Sequence, residues 1–125
     1  MLRRRIIAVV VIVILVEVNI SIADIIPDVV FYNDAVVTSD EHYDSVTVYD
    51  TPPRRTTIEF YGQGEYLIMY DSSTLNLHEG GKLESFGGGW NRLYDSSTLN
   101  VFQGAKIGAG SAANMDIYDS STLNV

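Results

Sequence analysis

Polar and apolar positions alternate through most of the chain, in short runs that glycines interrupt. Leu75 and Leu77 alternate with Thr74 and Asn76. That period of two puts the leucines on one face of a strand and the polar pair on the other. Gly80-Gly81, Gly87-Gly88-Gly89, Gly104, Gly108 and Gly110 divide the chain into short strands with tight corners. After Ala23 no segment shows a helical apolar rhythm, so an all-β fold is predicted. Val29–Tyr32 and Ala35–Thr38 read as two strands around the turn pair Asn33-Asp34.

The alternation belongs to a repeat. Tyr-Asp-Ser-Ser-Thr-Leu-Asn occurs without change at Tyr70–Asn76, Tyr94–Asn100 and Tyr118–Asn124, at the same offset of 24 both times. Apolar positions hold between copies: Met69, Leu93 and Ile117; Leu75, Leu99 and Leu123; Leu77, Val101 and Val125; Leu83 and Ile107. Tyr43-Asp44-Ser45-Val46-Thr47-Val48 reads as a decayed copy, further from Tyr70 than the constant offset, with the surplus in a loop at Thr51–Arg55. A fixed period of this size signals stacked units. It is too short for a four-stranded propeller blade, which takes about 40 residues, and the leucine-rich-repeat pattern is missing. The expected fold is a right-handed parallel β-helix, a solenoid of 24-residue coils. Its units would be 43–69, 70–93, 94–117 and 118–125, the last incomplete, with 24–42 as N-terminal strands or cap. Leu75, Leu77, Leu83, Leu99, Val101, Ile107 and Leu123 should face inward, and Thr74, Asn76, Thr98 and Asn100 outward.

The N-terminus has a different character. Met1-Leu2-Arg3-Arg4-Arg5 precedes an uninterrupted apolar run from Ile6 to Val16, and Ser21-Ile22-Ala23 puts small residues before Asp24. A basic start, a short apolar stretch and a small-x-small site form the pattern of a signal peptide, residues 1–23. A spanning helix needs roughly 20 apolar residues, and Glu17 interrupts this run early.

Charge then narrows the partners. Beyond Ala23 the chain keeps five Lys and Arg against fifteen Asp and Glu, a formal charge of −10. So acidic a body repels phosphate backbones and anionic lipid, which argues against nucleic acid and, after signal cleavage, against membrane. Cysteine is absent, so packing and backbone pairing must supply the stability.

Stacked coils would place equivalent residues about 4.8 Å apart. Asp71, Asp95 and Asp119 would form a carboxylate row, capping the Ser-Ser turns or, as a weak metal candidate, holding Ca2+. Asn76, Asn100 and Asn124 would form a structural amide ladder beside Thr74, Thr98 and Thr122; water ordering by this face is the sharper option. Tyr70, Tyr94 and Tyr118 would stack as an aromatic row at a corner, with a carbohydrate platform as the alternative. Catalysis finds little footing: His42 and His78 lie in unlike units, and no histidine recurs beside the serines. Arg92 aligns with Ile68 and Asp116 and reads as a surface residue. Neither an enzyme nor a cofactor is expected.

The Asp-Ser-Ser-Thr-Leu-Asn-Val units with Gly-rich tails resemble bacterial extracellular β-helix repeat proteins, such as autotransporter-type adhesin passengers and the repeat regions of proteins with PEP-CTERM sorting tails. The resemblance covers about Tyr43 to Val125. It implies a secreted, extracellular or cell-envelope structural or adhesive module, with polysaccharide or cell-surface components and further coils of its own longer chain as partners. No stretch of these residues reads as a transporter barrel or a sorting tail. Because Val125 falls partway through the unit that begins at Tyr118, a fragment of a longer protein is expected. The alternatives are a carbohydrate-active β-helix enzyme lacking its catalytic coils, or a non-functional truncated remnant.

Overall fold

A computed structural model describes residues 26–84, 90–108 and 114–125. The apolar segment 6–22, expected to stand apart from the body, and Gly87-Gly88-Gly89 and Gly110 lie outside the described residues.

The described chain contains twelve strands and no helix: β1 (Val29–Phe31), β2 (Ala35–Val37), β3 (His42–Val48), β4 (Thr57–Phe60), β5 (Gln63–Met69), β6 (Thr74–Leu77), β7 (Lys82–Leu83), β8 (Trp90–Leu93), β9 (Thr98–Val101), β10 (Lys106–Ile107), β11 (Asn114–Ile117) and β12 (Thr122–Asn124). Every pairing between these strands is parallel. One sheet runs β2-β4-β6-β9-β12; the other runs β1-β3-β5, then continues as β7-β10 and β8-β11. The protein is a parallel β-solenoid of about three turns.

Register confirms the repeat unit by unit. Leu75 pairs with Leu99 and Leu99 with Leu123, and Asn76, Asn100 and Asn124 follow the same line. Leu83 lies on Ile107, and Met69, Leu93 and Ile117 share a row. Parallel pairing follows because each coil carries the chain back to its starting side before the next equivalent strand begins.

The earlier coils are shorter, and there the sequence alignment needs correction. Tyr43 pairs with Gly64, not with the position of Tyr70. Val48 pairs with Met69, which puts Tyr49 in line with Tyr70. Phe31 pairs with Val48, which puts Tyr32 in line with Tyr49. The coils thus lengthen from Tyr32–Tyr49 to Tyr49–Tyr70, and only from Tyr70 onward is the length constant. The last increase has a local cause. Gln63 pairs with Lys82 on β7, whereas Ile68, five positions further along β5, pairs with Arg92 on β8, ten positions further along the chain. The later coil therefore carries extra chain between its two paired ends. The backbone at Leu67 faces this divergence, and the Asn91 side-chain oxygen accepts its N–H at 2.9 Å. Asn91 is itself buried, so its amide stands in for a missing rung.

Inward side chains stack into continuous rows. Val37, Val46, Val48, Ile58, Phe60, Leu67, Met69, Leu75, Leu77, Leu83, Leu93 and Leu99 are fully buried and form one core. Val101, Ile107 and Leu123 are half-buried against it, while Thr74, Asn76, Thr98 and Asn100 lie on the opposite face of their strands, partly exposed. The predicted register is therefore right.

The corners are built from backbone exceptions. Asp71, Asp95 and Asp119 adopt φ of 60°, 60° and 56°, a left-handed conformation that Asp tolerates better than most residues. Gly80 and Gly104, at φ 81° and 84°, make the next corner in each coil. The second serine turns inward in the first two Asp-Ser-Ser copies, where Ser73 and Ser97 are fully buried. Ser73 Oγ donates back to the Tyr70 carbonyl at 2.7 Å.

Truncating an interior rung should be costly. Leu75→Ala or Leu99→Ala is expected to lower the unfolding free energy by about 2–5 kcal/mol, whereas Thr98→Ala on the outer face should cost less than about 1 kcal/mol. Urea denaturation followed by circular dichroism checks the contrast, and equal losses would contradict the register.

Candidate functional site

The strand register assembles rows of side chains, and each has its own chemistry. The aromatic row is longer than the repeat alone predicts. Tyr32, Tyr49, Tyr70, Tyr94 and Tyr118 stack in series, with ring centroids 5.5, 4.6, 5.1 and 4.9 Å apart and planes within 12° of parallel. Burial pushes the Tyr70 hydroxyl above the ordinary phenol range, and the flanking Tyr49 and Tyr94 add to it. Each inner ring has both faces covered by its neighbours. A sugar ring stacking on tyrosine needs an uncovered face, so the row cannot act as a platform along its length. Only the end rings, Tyr32 and Tyr118, keep one face clear of another ring of the row.

The aspartates follow the same corner. Asp95 Oδ2 accepts the Asp71 N–H at 2.9 Å, Asp119 Oδ2 accepts the Asp95 N–H at 3.3 Å, and Asp71 Oδ2 accepts the Asp50 N–H at 3.2 Å. The Asp71 and Asp95 amides lie one residue past the tyrosine amides that make the last ladder bonds, and the carboxylate of the next coil meets each of them. Capping therefore runs between coils rather than within each Ser-Ser turn. Among the described residues, no three or more His, Asp or Glu side chains are grouped to hold a metal ion.

The amide ladder forms as predicted. Asn124 Nδ2 donates to Asn100 Oδ1 and Asn100 Nδ2 to Asn76 Oδ1, both at 2.8 Å. It ends on Glu59, which accepts from Asn76 Nδ2 at 2.9 Å. Glu59 also meets His78 Nε2 through its other oxygen. His78 in turn lies between the rings of Tyr61 and Phe102, at 4.5 and 4.9 Å, a second aromatic row that the sequence shows only through its alignment with Phe102. The His78 contact, with help from Asn76, holds the Glu59 carboxyl below its usual range.

The remaining candidates stay apart. His42 opens β3, its Nε2 3.7 Å from Glu65. Arg92 on β8 pairs with Ile68 and Asp116, as aligned.

One corner breaks the repetition. From the corner tyrosine to the position aligned with Thr74, the chain advances four steps at Tyr70–Thr74, but eight at Tyr49–Thr57 and two at Tyr32–Asp34. The long second corner folds over the space that the short first one leaves. Thr51 Oγ1 donates to the Tyr32 carbonyl at 2.6 Å, the Arg54 N–H to the Thr51 carbonyl at 2.9 Å, and the Thr56 N–H to Asp50 at 2.8 Å. Between the two corners lies a cavity of about 250 Å³ lined by Tyr32, Asn33, Asp34, Arg54, Arg55 and Thr56.

No family model, curated protein or solved structure matches this chain.

The link between Glu59 and the ladder should be visible in acid. A carboxyl whose pKa is lowered by folding contributes stability above its unfolded pKa and loses it as pH falls through the folded value. Glu59→Gln is therefore expected to unfold at lower urea than the parent at neutral pH, with the gap closing as pH drops below the ordinary glutamate range. A gap that stays constant with pH would contradict the ionic role.

Proposed function

We propose that the chain is a structural or adhesive repeat module that works outside the cytoplasm, exported by residues 1–23, with polysaccharide or other cell-surface components as partners. The observation that carries this reading is the regularity of the outward rows. Tyrosine, aspartate and asparagine recur on the same edges coil after coil, in register, at strand spacing. Such a surface repeats one set of contacts along a line, which suits a spacer or an extended partner. The basic start, apolar run and small-x-small site of residues 1–23 support export.

Fusing alkaline phosphatase, which is active only outside the cytoplasm, to Val125 of the full chain tests export. Phosphatase activity is expected, with a product whose N-terminus is Asp24, and deleting Ile6–Val16 should abolish both. An inactive fusion with an intact Met1 start would overturn export. Cosedimentation of the purified chain with insoluble envelope polysaccharide tests adhesion, and recovery of all of it in the supernatant would count against that part.

A further inference from the structure

The regular rows are alike in every coil; the corner that is not alike is the place to look for a specific ligand. In repeat folds, insertions gather on one face, often the binding face. The surplus by which the Tyr49–Thr57 corner exceeds the Tyr70–Thr74 corner includes adjacent arginines, Arg54 and Arg55, and both are exposed. They are two of only five basic residues beyond Ala23 in a body of net charge −10. Neither makes a salt bridge among the described residues. The hydrogen bond from Thr51 to Tyr32 ties this loop to the first corner, and the bond from Thr56 to Asp50 closes the loop on itself, on either side of the two arginines. Tyr32, the end ring of the aromatic row and more than half exposed (53%), lines the same cavity. Asn33 and Asp34 complete the lining, and Asp34 Oδ1 is engaged by the Thr57 N–H at 2.7 Å.

The combination is chemically selective. Guanidinium groups recognise carboxylates through paired N–H donors. An uncovered phenol face accepts the C–H face of a sugar ring, and the Asn and Asp oxygens can accept sugar hydroxyls. The space, about 250 Å³, is below the roughly 300–1,000 Å³ that takes a drug-sized ligand. One ring fits better than several. The surrounding acidity points the same way, since it repels a long polyanion but leaves a single carboxylate beside two arginines favoured.

We infer that this cavity binds one acidic sugar ring, a uronate unit at the end of a glycan, with Arg54 and Arg55 on the carboxylate and Tyr32 against the ring. The inference rests on the reading of the chain as a surface-binding module and names what one corner of it would bind.

Titration of the purified full chain with methyl β-glucuronide, followed by amide and aromatic NMR shifts, tests it. Saturable shifts are expected at Tyr32 and Thr56, weakening as salt is raised. Methyl β-glucoside, which lacks the carboxylate, should bind at least about tenfold more weakly, and so should the double variant Arg54→Ala/Arg55→Ala. Lys106→Ala, which removes an exposed charge on β10, should leave affinity unchanged. Three results would overturn the inference: no shifts at Tyr32, undiminished binding by the double variant, or equal binding of inorganic phosphate, which would reveal an anion site blind to the sugar. Because the phosphatase fusion reads export and cosedimentation reads adhesion, loss of this site would leave those readings standing or falling by themselves.

Discussion

Parallel backbone pairing in strict register is the constraint on which every other feature depends. Each coil hydrogen-bonds to the next with its equivalent residues aligned, so a residue meets its own kind above and below. That arrangement is favourable for leucine, which buries, and for asparagine, whose amide both donates and accepts along the row. It is unfavourable for aspartate. Two carboxylates about 4.8 Å apart repel by roughly 0.9 kcal/mol in water and about 3.5 kcal/mol at an effective dielectric of 20. The protein offsets that repulsion by giving the carboxylates of Asp95 and Asp119 a backbone N–H to accept. That N–H lies one residue past the tyrosine amide that makes the last ladder bond of its strand. One residue type thus makes the corner and occupies the amide at the same corner of the coil before it.

The later coils can be read directly from the sequence because identical residues recur at an unchanging spacing. Leu75, Leu99 and Leu123 announce an interior row, and Asn76, Asn100 and Asn124 an amide ladder. The first coils are harder to read for a definite reason. Their length changes, and a search at the constant repeat spacing passes over Tyr32 and Tyr49, which stand closer to their next partners. Tyr43 begins a better imitation of the Tyr-Asp-Ser motif, yet it pairs with Gly64. What register follows is the inward apolar row, Val48 on Met69; the polar motif only decorates the turn. Aligning the apolar positions alone, with gaps allowed at the corners, is what exposes the five-ring stack.

The same contrast explains why the cavity is not legible in the sequence. Thr51–Arg55 is recognisable as surplus to the repeat, but surplus length has no direction in a sequence. Its meaning comes from the corner one coil earlier, which is shorter than the repeat requires. Short and long corners compensate only when they are adjacent in space, and adjacency is set by the stacking of Tyr32 on Tyr49. The irregular coils carry individuality, and the regular ones carry extension.

That division has a consequence for how such a gene can change. The unit from Tyr94 to Ile117 sits on the coil before it in the same register as the next unit sits on it. Removing or duplicating that unit in frame would rejoin every row: tyrosine on tyrosine, carboxylate to amide, leucine on leucine. An exchange between the identical Tyr-Asp-Ser-Ser-Thr-Leu-Asn segments would add or remove one whole unit, a change that the fold absorbs. The rod can be lengthened or shortened in steps of about 4.8 Å, while the irregular first corners, which have no duplicate to recombine with, are inherited intact.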